Sequence, residues 1–344
     1  MQRFALIGAG FIGTVHAASL AAHRDVDLRL IYDVDAARAT ALAALHGAHA
    51  ADDLEAVFDP DRIDAVFIAS STHTHAEHLR RAAEAGIAAL CEKPIDLDLG
   101  RAAEIVSFVE RAGIVAMVNF NRRFDRDHAE LHRLVRAGAV GDVELMQLSS
   151  RGPSLPPIEY LEVSGGQMRD QAVHFFDLAR WIADADPVSV SATGSALADA
   201  RVAEIGDVDT SVAVLTLPNG GIVQIDSVRR TGYGYDERIE VMGPGGLIES
   251  RRQQRGGVVR YSTDQVVQDG LPSSWFERIR PTYPAALDAF VTALERGTPV
   301  PTTLQDGLKA QAIAEAATRA LTSGRTERIE YVEPEHPVRD GRPA

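Results

Sequence analysis

A short apolar run at residues 4–7 ends directly in Gly8-Ala9-Gly10-Phe11-Ile12-Gly13, and a helical stretch opens from it over residues 12–22. Nothing else in the chain limits its fold so tightly. G-x-G-x-x-G at a strand-to-helix junction is a demand on the backbone as well as a composition. Gly8 permits a tight turn, Gly10 lets the main chain approach a pyrophosphate, and Gly13 lets helix and strand pack closely. The helix N-terminus, with Phe11 and Ile12 in its first turn, offers N–H groups and a positive dipole end to phosphates. Asp33 ends the next strand, twenty residues after Gly13. A carboxylate there accepts hydrogen bonds from adenosine ribose hydroxyls and repels a 2′-phosphate, which favours NAD over NADP. The bland alternative is a glycine turn and a surface aspartate. A flavin uses a similar fingerprint, but nothing else here suggests one.

The same alternation continues. Strands are expected at 28–32, 65–69, 88–91 and 114–118, with helices near 35–45, 76–85 and 97–111. Short apolar strands alternating with helices predict an α/β Rossmann domain, a doubly wound parallel sheet over residues 1–120. Past residue 120 the pattern changes to α+β. Helices are expected at 126–136 and 169–182, the latter with Val173, Phe176, Leu178 and Trp181 near helical spacing. Strands at 143–149, 209–217, 221–229, 235–242 and 257–262 read as antiparallel, and Pro218-Asn219-Gly220 is a tight-turn signal between two of them. Helices at 283–296 and 304–321 close a second domain over 121–332. The tail 333–344, rich in Pro and charge, is expected to be loosely held.

Charge narrows the partners. Lys plus Arg number 35 and Asp plus Glu 49, a formal net charge of −14. So acidic a chain repels phosphate backbones, and it has no polybasic patch for anionic lipid, so neither nucleic acid nor membrane is expected. No apolar stretch is long enough to span a bilayer, and the run at 4–7 is too short for a signal peptide. The single cysteine, Cys91, allows no internal disulfide, which fits a reducing cytoplasm.

Chemistry-bearing residues cluster in two places. Glu92-Lys93-Pro94 follows the strand at 88–91, and carboxyl ends of strands in an open α/β sheet face the ligand crevice. A lysine there could bind the nicotinamide ribose and a substrate hydroxyl together; otherwise it is a surface lysine before a proline turn. Ser71, Thr72 and His75 are expected to line the nicotinamide side of the same crevice, with Glu92 beside Lys93. In the second domain Asp170 and His174 lie four residues apart and share a helix face. Alcohol oxidation needs a base for the hydroxyl proton as hydride leaves, and histidine suits that task near neutrality. Asp170 would orient the imidazole and stabilise its charged form. Taken alone, the pair is equally a helix-surface feature.

Several segments in order change that balance. They are the glycine motif, Glu92-Lys93-Pro94, Asn121-Arg122-Arg123-Phe124-Asp125, the run from Gly165 through Asp170 and His174 to Asp177, Gly206-Asp207-Val208-Asp209, Gly232-Tyr233-Gly234-Tyr235-Asp236, and Phe276-Glu277-Arg278 before Tyr283. Together, from about residue 2 to 330, they resemble the glucose–fructose oxidoreductase/inositol dehydrogenase (Gfo/Idh/MocA) family, nearest its inositol 2-dehydrogenase branch. The resemblance implies a Rossmann domain and a second domain with an open, mainly antiparallel sheet that commonly mediates dimers and tetramers. It implies a catalytic set of Lys93, Asp170 and His174, with His174 the general base and hydride passing to nicotinamide C4. With Lys93, Asp170 and His174, the residues Asn121, Arg122, Tyr235 and Tyr283 match positions that bind the substrate, and Pro94 a position that often follows a cis peptide. The implied activity is NAD-dependent oxidation of a secondary hydroxyl on a cyclic polyol, myo-inositol first. A pyranose or anhydrosugar substrate, or a silent NAD-binding regulator, are the rivals. Phe175, Gln167, Gln171 and Pro153 depart from the branch pattern, and these departures bear on substrate identity.

Other signals carry less. His73, His75 and His78 imitate metal spacing, but hydride transfer to nicotinamide needs no metal and none is expected. Arg229-Arg230 and Arg251-Arg252 read as solvated strand ends. Cys91 reads as a packing residue.

Overall fold

The computed structural model describes residues 1–332, so the expected tail at 333–344 lies outside the described residues. The chain divides into two compact units. The first holds residues 1–120, Pro284–Leu308 and, among the described residues, 331–332; the second holds Asn121–Tyr283 and Lys309–Glu330. The break after residue 120 falls where the pattern changes. The return of residues 284–308 to the first unit differs from the expected division. Its cause lies in that unit's packing. Phe290 is fully buried and sets its ring edge-on to Phe4 at 6.3 Å. Thr302 donates its hydroxyl to the Val118 carbonyl at 2.6 Å. Gly307 comes so close to Ile95 that a Cβ would stand 2.9 Å from its side chain.

In the first unit, β1 (Gln2–Ile7), β2 (Val26–Tyr32), β3 (His49–Ala50), β4 (Ala65–Ile68), β5 (Ala88–Cys91) and β6 (Ala116–Val118) form one parallel sheet in the order β3-β2-β1-β4-β5-β6. Helices α1 (Phe11–Ala22), α2 (Ala36–His46), α3 (His75–Ala85) and α4 (Leu99–Ala112) connect the strands. Strands β4 and β5 are buried at every position, as a sheet covered on both faces requires. Strand order reverses between β1 and β4. Ligands bind in the crevice outside the carboxyl ends at such a point, and here that means the glycine loop after β1 and the turn after β4. The two-residue β3 is too short to leave a sequence signal.

In the second unit, α5 (Arg126–Arg136) precedes β7 (Leu145–Arg151), α6 (Ile158–Val163) and α7 (Val173–Ala183). Then come β8 (Ser189–Ser195), α8 (Ala200–Glu204), β9 (Thr210–Thr216), β10 (Ile222–Val228), β11 (Asp236–Gly243) and β12 (Gly246–Ser250). A separate hairpin, β13 (Val259–Tyr261) and β14 (Val266–Gln268), is followed by α9 (Trp275–Ile279), α10 (Thr282–Arg296), α11 (Leu304–Ser323) and β15 (Glu327–Arg328). The main sheet runs β12-β11-β7-β10-β9-β8-β15 and is antiparallel except where β10 lies parallel to β7. Strands β9 and β10 bury alternate residues, so one face carries the core. Their turn is the Pro218-Asn219-Gly220 signal, with Gly220 at φ +87°. Strand β8, sequence SVSATGS, buries only Val190 and carries no clear period, which is why it was not expected. The helix expected over 169–182 is in fact two pieces. Met168–Ala172 form a single π-helical turn, and the α-helix begins at Val173.

Two histidines, His78 buried and His132 half-buried, tie stability to pH. Burial, with His75 and Arg81 nearby, pulls His78 down to about 4. Burial and the cations of Arg136 and Arg123 do the same to His132, which stacks on Trp181 at 3.9 Å. The unfolded chain binds protons at the ordinary value near 6.5. Between that value and about 4 it holds protons that the folded chain refuses, so stability is full above this window and lost as pH falls through it. The melting temperature should therefore be lower at about pH 5 than at about pH 7; equal melting at both would remove the two histidines from the account.

Candidate active site

The first unit builds a dinucleotide cradle. Gly8 has φ +107°, and a Cβ on it would lie 2.4 Å from the Ala69 carbonyl oxygen. A Cβ on Gly13 would lie 2.0 Å from the Gly8 carbonyl oxygen. Neither position can hold a side chain. Gly10 is different, for a Cβ there would meet nothing within 4 Å. The open side of the loop is thus where main chain can meet a ligand. Gly10 also caps α1 without a side-chain hydrogen bond, and no acid stands in the first turn. An uncapped, acid-free helix start fits an anion. Asp33 is drawn to the same loop. Its Oδ2 accepts the Ala9 N–H at 2.7 Å and its Oδ1 the Asp35 N–H at 2.8 Å. The residues present therefore fit an adenine dinucleotide.

Past β4, Ser71 is exposed and Thr72 half-buried in a short 3-10 turn. His75 starts α3 and is buried. Its Nδ1 lies 2.8 Å from the Pro94 carbonyl oxygen and its Nε2 3.0 Å from that of Ser70. The ring therefore joins the loop after β4 to the loop after β5. Burial, the dominant influence, holds its pKa below the ordinary value. The Lys93–Pro94 peptide is cis. Beside it, Glu92 Oε1 accepts from His16 Nε2 and from Asn119 Nδ2, both at 2.7 Å. Burial would raise this carboxyl, but His16, Asn119 and Lys93 together hold it below its usual value. Glu92 is thus a brace from the glycine-motif helix to the strand end that carries Lys93.

The second unit holds the other candidates. A 3-10 turn, Asn121–Phe124, carries Asn121, Arg122 and Arg123, all buried. Arg123 makes a two-pronged pair with Asp177 at 2.8 and 2.6 Å, which fastens this turn to α7. Asn121 donates to the Thr282 hydroxyl at 2.9 Å and accepts from Arg122 Nη1 at 2.9 Å. Arg122 reaches the Tyr235 hydroxyl at 3.4 Å and Glu237 at 3.5 Å. Burial above all, and then the Glu237 charge, push Tyr235 up to about 12, so its phenol stays neutral. Tyr283 is buried with its ring 6.3 Å from Phe276. Glu237, fully buried at the base of this group, was not foreseen. A lone glutamate in a strand leaves no pattern.

Asp170 lies in the π-helical turn and His174 in the first turn of α7, buried at 8% exposure. A π turn closes i to i+5 and is common at functional sites. Gln167 and Gln171, two of the departures from the branch pattern, bind the sheet. Gln167 donates to the Asp209 and Ser227 carbonyls and accepts from the Ser211 hydroxyl. Gln171 donates to the Ser150 and Val228 carbonyls. They staple the irregular turn to β7, β9 and β10. Phe175 is core. Arg229, expected as a solvated strand end, is 4% exposed and pairs with Asp170 at 3.0 Å. Its neighbour Arg230 is exposed, as expected.

Comparison with known proteins gives this arrangement relatives. Residues 2–120 match the family described as "Oxidoreductase family, NAD-binding Rossmann fold", and residues 128–249 match the GFO/IDH/MocA C-terminal domain. Inositol 2-dehydrogenase of Rhizobium meliloti (strain 1021) is 37% identical over 94% of this chain and 98% of its own. Myo-inositol 2-dehydrogenase of Thermotoga maritima is 36% identical over 96% and 99%. A crystal structure of a myo-inositol dehydrogenase from Corynebacterium glutamicum superposes with a TM-score of 0.91 at 34% identity, covering 96% of this chain and 100% of that one.

Proposed function

Because the chain belongs to the Gfo/Idh/MocA family of NAD-binding oxidoreductases, we propose that it oxidises a secondary hydroxyl of a cyclic polyol, myo-inositol first. What carries this reading is that one chain, similar throughout its length to inositol 2-dehydrogenases, holds an NAD cradle and also Asp170 in a π turn followed directly by His174 at the start of α7. When bound, NAD supplies the hydride acceptor. His174 takes the proton of the reacting hydroxyl as hydride leaves the same carbon, so the alcohol becomes a ketone. Asp170 stabilises the imidazolium that forms. Lys93, next to the cis peptide, binds the same hydroxyl, and the Arg122–Tyr235–Asn121 group with Tyr283 orients the remaining ring hydroxyls. Ser71, Thr72 and the Glu92-Lys93 strand end border the nicotinamide, with His75 and Glu92 setting the two loops. The half-exposed sheet of the second unit joins copies of the chain into a dimer or tetramer.

The test is NADH formation from NAD with inositols, pyranoses and anhydrosugars, with NADP run beside it. Turnover on an inositol is expected. Turnover on sugars alone would reassign the pocket, and a bound cofactor without turnover on any of them would leave a regulator. Asp33 is tested separately. Asp33→Ala removes a charged acceptor worth about 1.5–3 kcal/mol, so Kd for NAD should rise roughly tenfold or more and the gap to NADP should narrow. An unchanged NAD/NADP ratio would sink the ribose assignment.

A further inference from the structure

The Asp170 carboxylate is gripped from two sides by residues far from the glycine motif. Its Oδ1 accepts the Tyr160 hydroxyl at 2.8 Å, and its Oδ2 accepts an N–H from Arg229 Nη1 at 3.0 Å. Tyr160 stands on α6, Arg229 just past the end of β10, and Asp170 in the π-helical turn. Three separate segments thus converge on one carboxylate.

The convergence is built. Arg229 is buried, and its Nη2 lies 3.9 Å from Asp207 Oδ2. Asp207 Oδ1 in turn accepts the Gln167 N–H at 2.9 Å, at the entry to the π turn. Gly166, at φ +87°, allows this approach, since a Cβ there would stand 3.1 Å from Asp207 Oδ1. One guanidinium therefore sits between the carboxylate that starts the turn and the carboxylate within it. Arg169, beside Asp170 in sequence, pairs with Glu315 instead, at 2.5 and 2.6 Å. Tyr160 is 47% exposed as a residue, and the partial burial of its hydroxyl, with the Asp170 charge, raises it above an ordinary phenol, so it keeps its proton and donates it.

We propose that Arg229, supported by Tyr160, is a positioning residue that holds the Asp170 carboxylate aimed for its work on His174. The role rests on the polyol dehydrogenase reading above. A carboxylate with a donor on each oxygen cannot rotate without breaking a charge-assisted bond. Without Arg229, Asp170 swings away or takes a proton, and either change removes its support for the imidazolium. NAD binding relies on other residues, and polyol binding on six besides Asp170, so both are left nearly in place.

The experiment compares wild type, Arg229→Gln, Arg229→Lys and Tyr160→Phe as full-length protein. It reads kcat, KM for inositol, Kd for NAD, the melting temperature, and the isotope effect with carbon-deuterated inositol. Misplacing a catalytic group can cost on the order of 10²-fold, so Arg229→Gln should lose about that much in kcat while KM and NAD affinity stay within roughly threefold. Its isotope effect should rise as hydride transfer becomes limiting. Arg229→Lys keeps the charge without the fork and should recover about tenfold of the loss. Tyr160→Phe removes one hydrogen bond and should lose about fivefold.

Full kcat in Arg229→Gln, or a loss confined to KM, would overturn the role. If Arg229→Gln melts far below wild type, Tyr160→Phe and Arg229→Lys decide: unchanged kcat in the first, with no recovery in the second, makes Arg229 a structural pair only. Wild type without turnover on any inositol or sugar removes the proposed function and this role with it. Wild-type turnover with an undiminished Arg229→Gln removes the role alone.

Discussion

His174→Ala should lose about 10³-fold in kcat on the polyol while its Kd for NAD stays within roughly twofold. A positioned general base contributes about 10²–10⁴-fold, and the other carboxylate of α7, Asp177, is held by Arg123. The cofactor half belongs to the other unit, with Gly8, Gly10, Gly13 and Asp33 around the first turn of α1. Loss of an imidazole on α7 leaves that cradle intact, so binding and turnover should separate. Isothermal titration with NAD and steady-state NADH formation measure the two independently. The residual activity should rise with pH, because hydroxide then does what the ring did. Equal loss of NAD affinity and turnover would mean that His174 serves the fold or the cofactor, and the base would have to be sought elsewhere.

The histidine was legible as a candidate because an acid–histidine pair on a helix leaves a spacing. Asp170 and His174 are four apart, and helical periodicity around them marks the element. The Rossmann half was legible for a similar reason. Its strands are continuous apolar runs, and each glycine of the motif answers a backbone constraint that the structure makes explicit at Gly8 and Gly13. The π turn was not legible, since one extra residue in a helix does not disturb an apolar stripe over so short a span. Arg229 was misread for a related reason. Two arginines at the end of a strand look solvated until the fold brings a carboxylate from fifty-nine residues away to one of them. Gln167 and Gln171 stood out in the sequence only as departures from the branch pattern; their amides serve the Asp209 and Val228 carbonyls beside β9 and at the end of β10. Long-range polar pairing of this kind has no local period, so only the three-dimensional register exposes it.

The glycine motif offers the sharpest contrast between fold and function, because its members should fail in different ways. Gly13→Ala should destabilise the first unit by roughly 2–3 kcal/mol, the upper range for overpacking. The added methyl would lie 2.0 Å from the Gly8 carbonyl oxygen, and backbone, not a flexible side chain, would have to move. Gly10→Ala should leave the melting temperature unchanged, because its methyl meets nothing within 4 Å. It should instead cost affinity. A methyl on the open side of the loop stands where the pyrophosphate must touch main chain, and a contact penalty of about 1–3 kcal/mol corresponds to roughly 10- to 10²-fold in Kd for NAD. Thermal melting with and without NAD reads both effects in one experiment. Gly13→Ala should melt early in either condition, and Gly10→Ala should melt like wild type without NAD and lose most of the upward shift that NAD gives. A Gly10→Ala protein with the full NAD-induced shift would show that the dinucleotide does not lie against this face of the loop, and the role given to the start of α1 would fall with it.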